Sequence, residues 1–373
     1  MKLSKSIDFL LENAGEVILY RLHKEILHDL SVAQEEALLD AVMQTPYYRL
    51  VSGYVKPNGY IGVGMHSADR FEETRLQDGE TAARLLSYYA IPKTQPIIKD
   101  FIDAMRDDEI LRSEFMFYPP AYEQFRTRYY GIYSGTSLMV IIYAMQAMLG
   151  YGDDDYVKPF LDISLDAFRA ILNVNSISDI AEYDERLLKR YKTPYYIDAD
   201  THVPCAYHLA ALSYSSIWRN KRNTDMLAAA VNHICSLNLI GAENGVPAKV
   251  DGKYRGSFWM FLYPFMPYIH KRDRYIGVMY RRILTELAML GIGQKADVLR
   301  ESAINVKEAL EFDGVLRWDF QSPYQKNQYR AQKWPTAYCD VWLEADHNRK
   351  NALECDLTFW AVQLLYLLGE AEF

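Results

Sequence analysis

With 373 residues, half of them hydrophobic, the chain is long enough to bury a large core, and closed architectures of this length occur as one domain. Its 41 basic and 49 acidic side chains leave a net charge of −8, which argues against a nucleic-acid or anionic-membrane surface as the main partner. Four scattered cysteines, Cys205, Cys235, Cys339 and Cys355, form no CxxC pair, and so fit reduced thiols in a cytoplasmic protein better than a disulfide framework.

In chain order, residues 5–30 read as two helices, SIDFLLENA and EVILYRLHKEIL, and the charges at Asp8 and Glu12 break the N-terminal apolar run, so no signal peptide is expected. Ser31 is placed to cap a third helix that stops near Thr45-Pro46. Residues 52–78 form a long loop whose glycines do not follow the dinucleotide order GxGxxG. GETAARLLSYYAI and TQPIIKDFIDAMRD then form a helix pair, and 116–128 reads as a loop with a Pro pair. Tyr129 to Gly152 carries no charge, but its strongly apolar part, Leu138 to Leu149, is too short to span a bilayer and reads as a buried helix. No transmembrane segment is expected.

The unit of buried helix, short turn and amphipathic helix recurs from about residues 80, 136, 205 and 275, and LTFWAVQLLYLLG near 357 is one more apolar helix. Strand signal is slight. The expected fold is all-α: one α/α toroid over residues 1–373, built from about five to six helical hairpins with long Gly/Pro/Tyr-rich loops. An open α-solenoid is the competing arrangement. The 30 Tyr, 15 Phe and 6 Trp either pack the helices or line a cavity that is neither dry nor fully wet.

The opening helix pair FLLENAGEVILYRLHKEIL, the Gly-aromatic loops (NGY at 58–60, DGKY at 251–254, DGVLRW at 313–318) and the closing ECDLTFWAVQLLYLL together resemble the single-toroid bacterial members of the terpenoid-cyclase and protein-prenyltransferase superfamily. The resemblance implies a central, aromatic-lined cavity. Class II cyclases of that superfamily carry a DxDD-type motif whose middle Asp acts as acid. Asp198-Ala199-Asp200 matches its first three positions, and Thr201 stands in place of the final Asp. The prenyltransferase zinc pattern is not reproduced.

Three constellations are candidate sites. A Tyr-rich loop from Lys192 would carry Asp198 and Asp200, with His202 beside them, to the mouth of the buried helix VPCAYHLAAL. In a low-dielectric pocket two close carboxylates do not both ionise, so Asp200 would be the general acid, Asp198 its partner and His202 a supporting base. Asp or Thr before VPCAYHLAAL also reads as the N-cap of that helix, with Pro204 near its first turn. His202, Cys205 and His208 are ligand types for zinc, but on a helix they point away from one another, so no metal and no other cofactor is expected. Asp340, Glu344 and His347 would share a helix face, or else form a solvated loop anchored by Trp334 and Trp342, while Glu354 and Asp356 suit a first helical turn. Lys253, Arg255 and Arg317 would bind an anion if their loops met, and are otherwise surface charge.

The functional expectation is a small-molecule ligand, isoprenoid or carbohydrate, held by Tyr195, Tyr196, Tyr207, Tyr254, Trp259, Trp318 and Trp334. Two further readings stay open. One is an (α/α)-barrel glycoside hydrolase or lyase, in which aromatics stack on sugars and paired acids cleave them. The other is a non-catalytic helical scaffold that binds a peptide or lipid.

Overall fold

A computed structural model describes residues 3–65, 78–114, 138–198, 201, 203–237, 246–250, 252–258, 276–317 and 342–372. The described chain is mostly helical. Helix α1 (Ser4–Asn13) and α2 (Glu16–Arg21) are followed by a π-helical turn, Leu22–Leu27, which the left-handed His28 ends. Helix α3 (Val32–Met43) starts as expected at Ser31, whose side chain accepts from the Gln34 N–H while Gln34 reaches back to the Ser31 N–H. Thr45-Pro46 does not only stop α3. Its proline opens a further helix, α4 (Pro46–Ser52), because proline at the first helical position removes an N–H that would have no partner.

The next elements alternate in character. Helix α5 (Gly79–Tyr88) is buried on every side except at Ser87, and Asp78 caps it by accepting from Thr81 N–H at 2.8 Å. Helices α6 (Pro96–Arg106) and α7 (Asp108–Glu114) follow, and α6 buries one apolar stripe, Ile98, Phe101, Ile102 and Met105. Helix α8 (Leu138–Gln146) continues into a second π-helical turn, Ala147–Tyr151, before the amphipathic α9 (Lys158–Ala170). Helix α10 (Ala206–Ser213) is again buried and α11 (Lys221–Ser236) amphipathic. Helix α12 (Ile276–Met289) pairs with α13 (Asp297–Leu310), and α14 (Ala352–Leu367) is almost wholly buried. The spacing of apolar residues fixes this alternation: a helix apolar on all faces needs neighbours all round, whereas a single stripe needs one layer.

Packing follows chain order. Helix α5 packs on α8, α8 on α10, α10 on α12 and α12 on α14, and α14 packs against α1 and α2. The amphipathic helices cover them, α9 on α10 and α11, and α13 on α12 and α14. Arg21 Nη1 on α2 donates to the Tyr88 carbonyl of α5 at 3.1 Å, and Leu3 N donates to Glu372 O at 3.1 Å.

A small sheet departs from the helical expectation. Strands β1 (Glu182–Tyr183), β2 (Tyr195–Asp198), β3 (Val246–Val250) and β4 (Lys253–Phe258) lie in that order. β1 and β2 are antiparallel, β2 and β3 parallel, and β3 and β4 antiparallel. The stretches around Tyr195 and around Lys253–Tyr254, read from sequence as loops, are therefore strands. Gly252 turns the β3–β4 hairpin at φ 75°, a backbone that glycine adopts without steric cost. No described helix is long and apolar enough to cross a membrane.

Candidate functional site

The acidic stretch that the sequence singled out divides between sheet and helix. Asp198 is exposed at the end of β2, in register with Lys249 of β3. Its carboxylate therefore stands in solvent and not at a buried helix mouth. Asp200 and His202 lie outside the described residues, as do Trp259, Trp318 and Trp334. On the sheet, the Tyr196 hydroxyl donates to Glu182 and accepts from Lys249 Nζ at 3.3 Å. Tyr254 donates to Asp184 Oδ2 at 2.7 Å, and its ring meets that of Tyr196 edge-on at 5.1 Å. Tyr195 is half-buried against Tyr183. These hydroxyls tie strand to strand and to the segment before β2. Of the loop cations, Arg317 pairs with Asp313 and Lys253 is exposed.

The helix start after this stretch is capped in an unexpected way. Cys205 is the N-cap of α10, its thiol facing the His208 N–H while His208 Nδ1 accepts from Cys205 N–H at 3.1 Å. The sequence pointed to Asp or Thr for this role. Both residues are buried, and burial pushes the Cys205 thiol up to about 12. Two of the three residues weighed for zinc are thus used in a reciprocal cap. Among the described residues no group of three His, Cys, Asp or Glu is placed to hold a metal.

Tyr207, two residues after Cys205, leads inward. Its hydroxyl donates to Glu80 Oε2 at 3.0 Å. Glu80 is fully buried on α5, and its Oε1 accepts from Arg84 Nε at 3.0 Å. Arg84 is itself fully buried, with Nη1 within 3.5 Å of the Tyr88 hydroxyl and 3.7 Å of Met148 Sδ. Burial opposes its charge, but the surrounding oxygens of Tyr88, Glu80 and Glu286 outweigh it and raise the pKa, so the guanidinium stays charged. A second pair on α12, Arg282 and Glu286, is almost as buried, with Nε donating to Oε1 at 3.3 Å. A third joins α2 to its π turn, Arg21 Nη2 to Glu25 Oε2 at 2.8 Å.

The Arg282–Glu286 and Arg21–Glu25 pairs line a cavity of about 360 Å³. Its wall takes Arg21 and Glu25 from α2 and the π turn after it, Tyr88 from α5, Met148 from the second π turn, and Tyr214 from the end of α10. Arg281, Arg282 and Glu286 of α12 line it, as do Asp356, Phe359 and Trp360 of α14. Lys93 and Gly150, both exposed, lie where it opens. The Arg281 guanidinium stacks 4.2 Å from the Trp342 ring centroid. The Trp360 indole N–H is directed to Arg281 O at 3.2 Å and Thr285 Oγ1 at 3.1 Å. Burial raises the Tyr88 and Tyr214 phenols, with Glu286 adding to the rise at Tyr214, so both stay protonated at neutral pH. The lining therefore offers fixed donors and acceptors beside aromatic faces. Sequence reasoning missed this site. Its signal is acid–base pairs spaced by four residues inside otherwise apolar helices.

Beside the cavity, Trp342 to His347 are not helical, and Asp340 lies outside the described residues. Glu344 and His347 are buried, so this is not a solvated loop. Glu344 Oε1 accepts from Gly15 N–H at 2.9 Å and pairs with Arg349 at 2.7 Å. Asp356 Oδ1 accepts from Leu343 N–H at 2.6 Å and Glu344 N–H at 3.2 Å. Burial, then the Asp356 charge, push the Glu344 carboxyl up to about 7.

Comparison of the chain with protein-family models, curated proteins and solved structures gave no match.

Proposed function

We propose that the helices close into an α/α toroid and that the protein binds one small amphipathic molecule in the cavity at its centre. The observation that carries this reading is the make-up of the wall: α2, α5, α10, α12, α14 and the π turn after α8 all contribute to one cavity. The Arg21–Tyr88 hydrogen bond and the packing of α14 on α1 and α2 support closure. The volume falls near the lower end of the ~300–1,000 Å³ usual for small-molecule sites. Tyr88, Tyr214, Phe359 and Trp360 supply the aromatic surface that the cyclase and prenyltransferase resemblance implies. The free thiols of Cys205 and Cys355 support a reducing, cytoplasmic setting.

Saturation-transfer NMR against a mixed set of small amphipathic compounds tests the reading. Ser87→Trp, which fills the cavity from α5, should abolish the signal of any binder. A folded Ser87→Trp protein that keeps its binder refutes the cavity as the site.

A second reading is favoured by the two carboxylates of Glu286 and Asp356 on one wall system with Trp360. Glycoside cleavage uses such a pair at a separation of about 5–10 Å. Release of nitrophenol from aryl glycosides, lost in Glu286→Gln, is its expected signature.

A further inference from the structure

Resting on the central-cavity reading, we propose that the ligand is a neutral sugar ring, one hydroxyl of which donates to Glu286. Glu286 lines the cavity, is 1% exposed, and its Oε2 has no hydrogen-bond partner among the described residues. A buried carboxylate oxygen left unpaired is destabilising. Its companion Oε1 is held by Arg282 at 3.3 Å, and Arg84 interacts with the same carboxylate through its charge. The unfilled position therefore calls for a donor.

The surroundings select the kind of donor. Two guanidinium groups already balance Glu286, so an ammonium ion brought to it would meet their repulsion, whereas a hydroxyl would not. Around the cavity the arginines and carboxylates nearly cancel, which favours neither a strong anion nor a strong cation. Hydroxyl groups donate and accept, and so can answer both kinds of wall group. Trp360 lines the cavity with its N–H spent on Arg281 and Thr285 and the Arg281 guanidinium 6.0 Å from its ring centroid, so the C–H face of a sugar would meet the opposite side of the ring. An isoprenoid would cover the same charges and return no hydrogen bonds.

The test is titration of the intact chain with methyl glycosides of glucose, galactose, mannose and xylose, and with farnesol, by saturation-transfer NMR and calorimetry. At least one glycoside should bind. In Glu286→Gln the amide keeps the shape and the acceptor for Arg282 but places an N–H donor where the hydroxyl donates. Affinity should fall by about tenfold or more. Equal binding to wild type and Glu286→Gln overturns the role of Glu286. Farnesol bound without any glycoside overturns the sugar and leaves the cavity reading standing. No probe bound overturns both. If Glu286→Gln does not fold, a crystal of the wild-type protein soaked in the best glycoside decides: a sugar hydroxyl at Glu286 Oε2 is expected, and water alone there refutes the proposal.

Discussion

Arg84→Met is the sharpest probe of the buried centre. Arg84 is wholly buried, and its partner Glu80 is too. The substitution keeps the apolar stem of the side chain but removes the guanidinium with its charge and its contact with Met148, so Glu80 is left ionised in the interior without its Arg84 partner. Breaking one side of such a pair costs about 3–5 kcal/mol, whereas replacing both sides is often neutral or stabilising. Glu80→Gln with Arg84→Met keeps an acceptor for the Tyr207 hydroxyl and removes both charges. The double variant should recover at least about 2 kcal/mol of the single loss. Equilibrium urea unfolding followed by circular dichroism gives the values by linear extrapolation. A cost below about 1 kcal/mol for Arg84→Met, typical of a solvent-exposed pair, would refute the claim that this network lies in a dry interior.

Glu344 gives a pH dependence of known sign. Its folded pKa of about 7 exceeds the usual 4.5, so between those values the folded state holds a proton that the unfolded chain has released. Stability should fall as pH rises from about 4.5 to 7 and change little above that from this group, and Glu344→Gln should flatten the decline in urea midpoints. Cys205 and Cys355, whose thiols burial pushes up to about 12, should resist iodoacetamide in the native protein, while half-buried Cys235 is alkylated before either of them. Peptide mass mapping reads the order, and early loss of Cys205 would contradict its buried cap. His208→Ala leaves the Cys205 N–H without its acceptor and should cost about 1–3 kcal/mol in the same urea assay, with His208→Gln restoring part of it.

Most of the helices were legible because they carry a complete local signal. Ser31 with Gln34, Pro96 at the first turn of α6, and the apolar stripe of α9 fix their elements without help from distant residues. The alternation of buried and amphipathic helices was legible for the same reason. The sheet was not. Its strands are two to six residues long, and β2 gains its partner β3 only from a segment some fifty residues away in sequence. Tyr195 and Tyr196 consequently looked like part of a turn. The cap of α10 failed differently: Asp and Thr stood in the preferred positions, but the chain enters the helix at Cys205, and His208 supplies the reciprocal acceptor.

The centre was hidden by a rule that usually points outward. Oppositely charged residues four apart on a helix ordinarily mark a solvated face. Glu80–Arg84 and Arg282–Glu286 obey the spacing, but they sit in GETAARLLSYY and YRRILTELAML, where the other faces of the helix are apolar too. A pair set in such a helix has no solvent side to occupy, and so must find its partners inside. Residues 21, 88 and 282 are far apart in the chain, and packing alone brings them around one cavity. That polarity weighs on function. Hydrocarbon placed against buried guanidinium and carboxylate groups strips them of water and offers nothing back, so the ligand proposed for this cavity is one able to form hydrogen bonds with its wall.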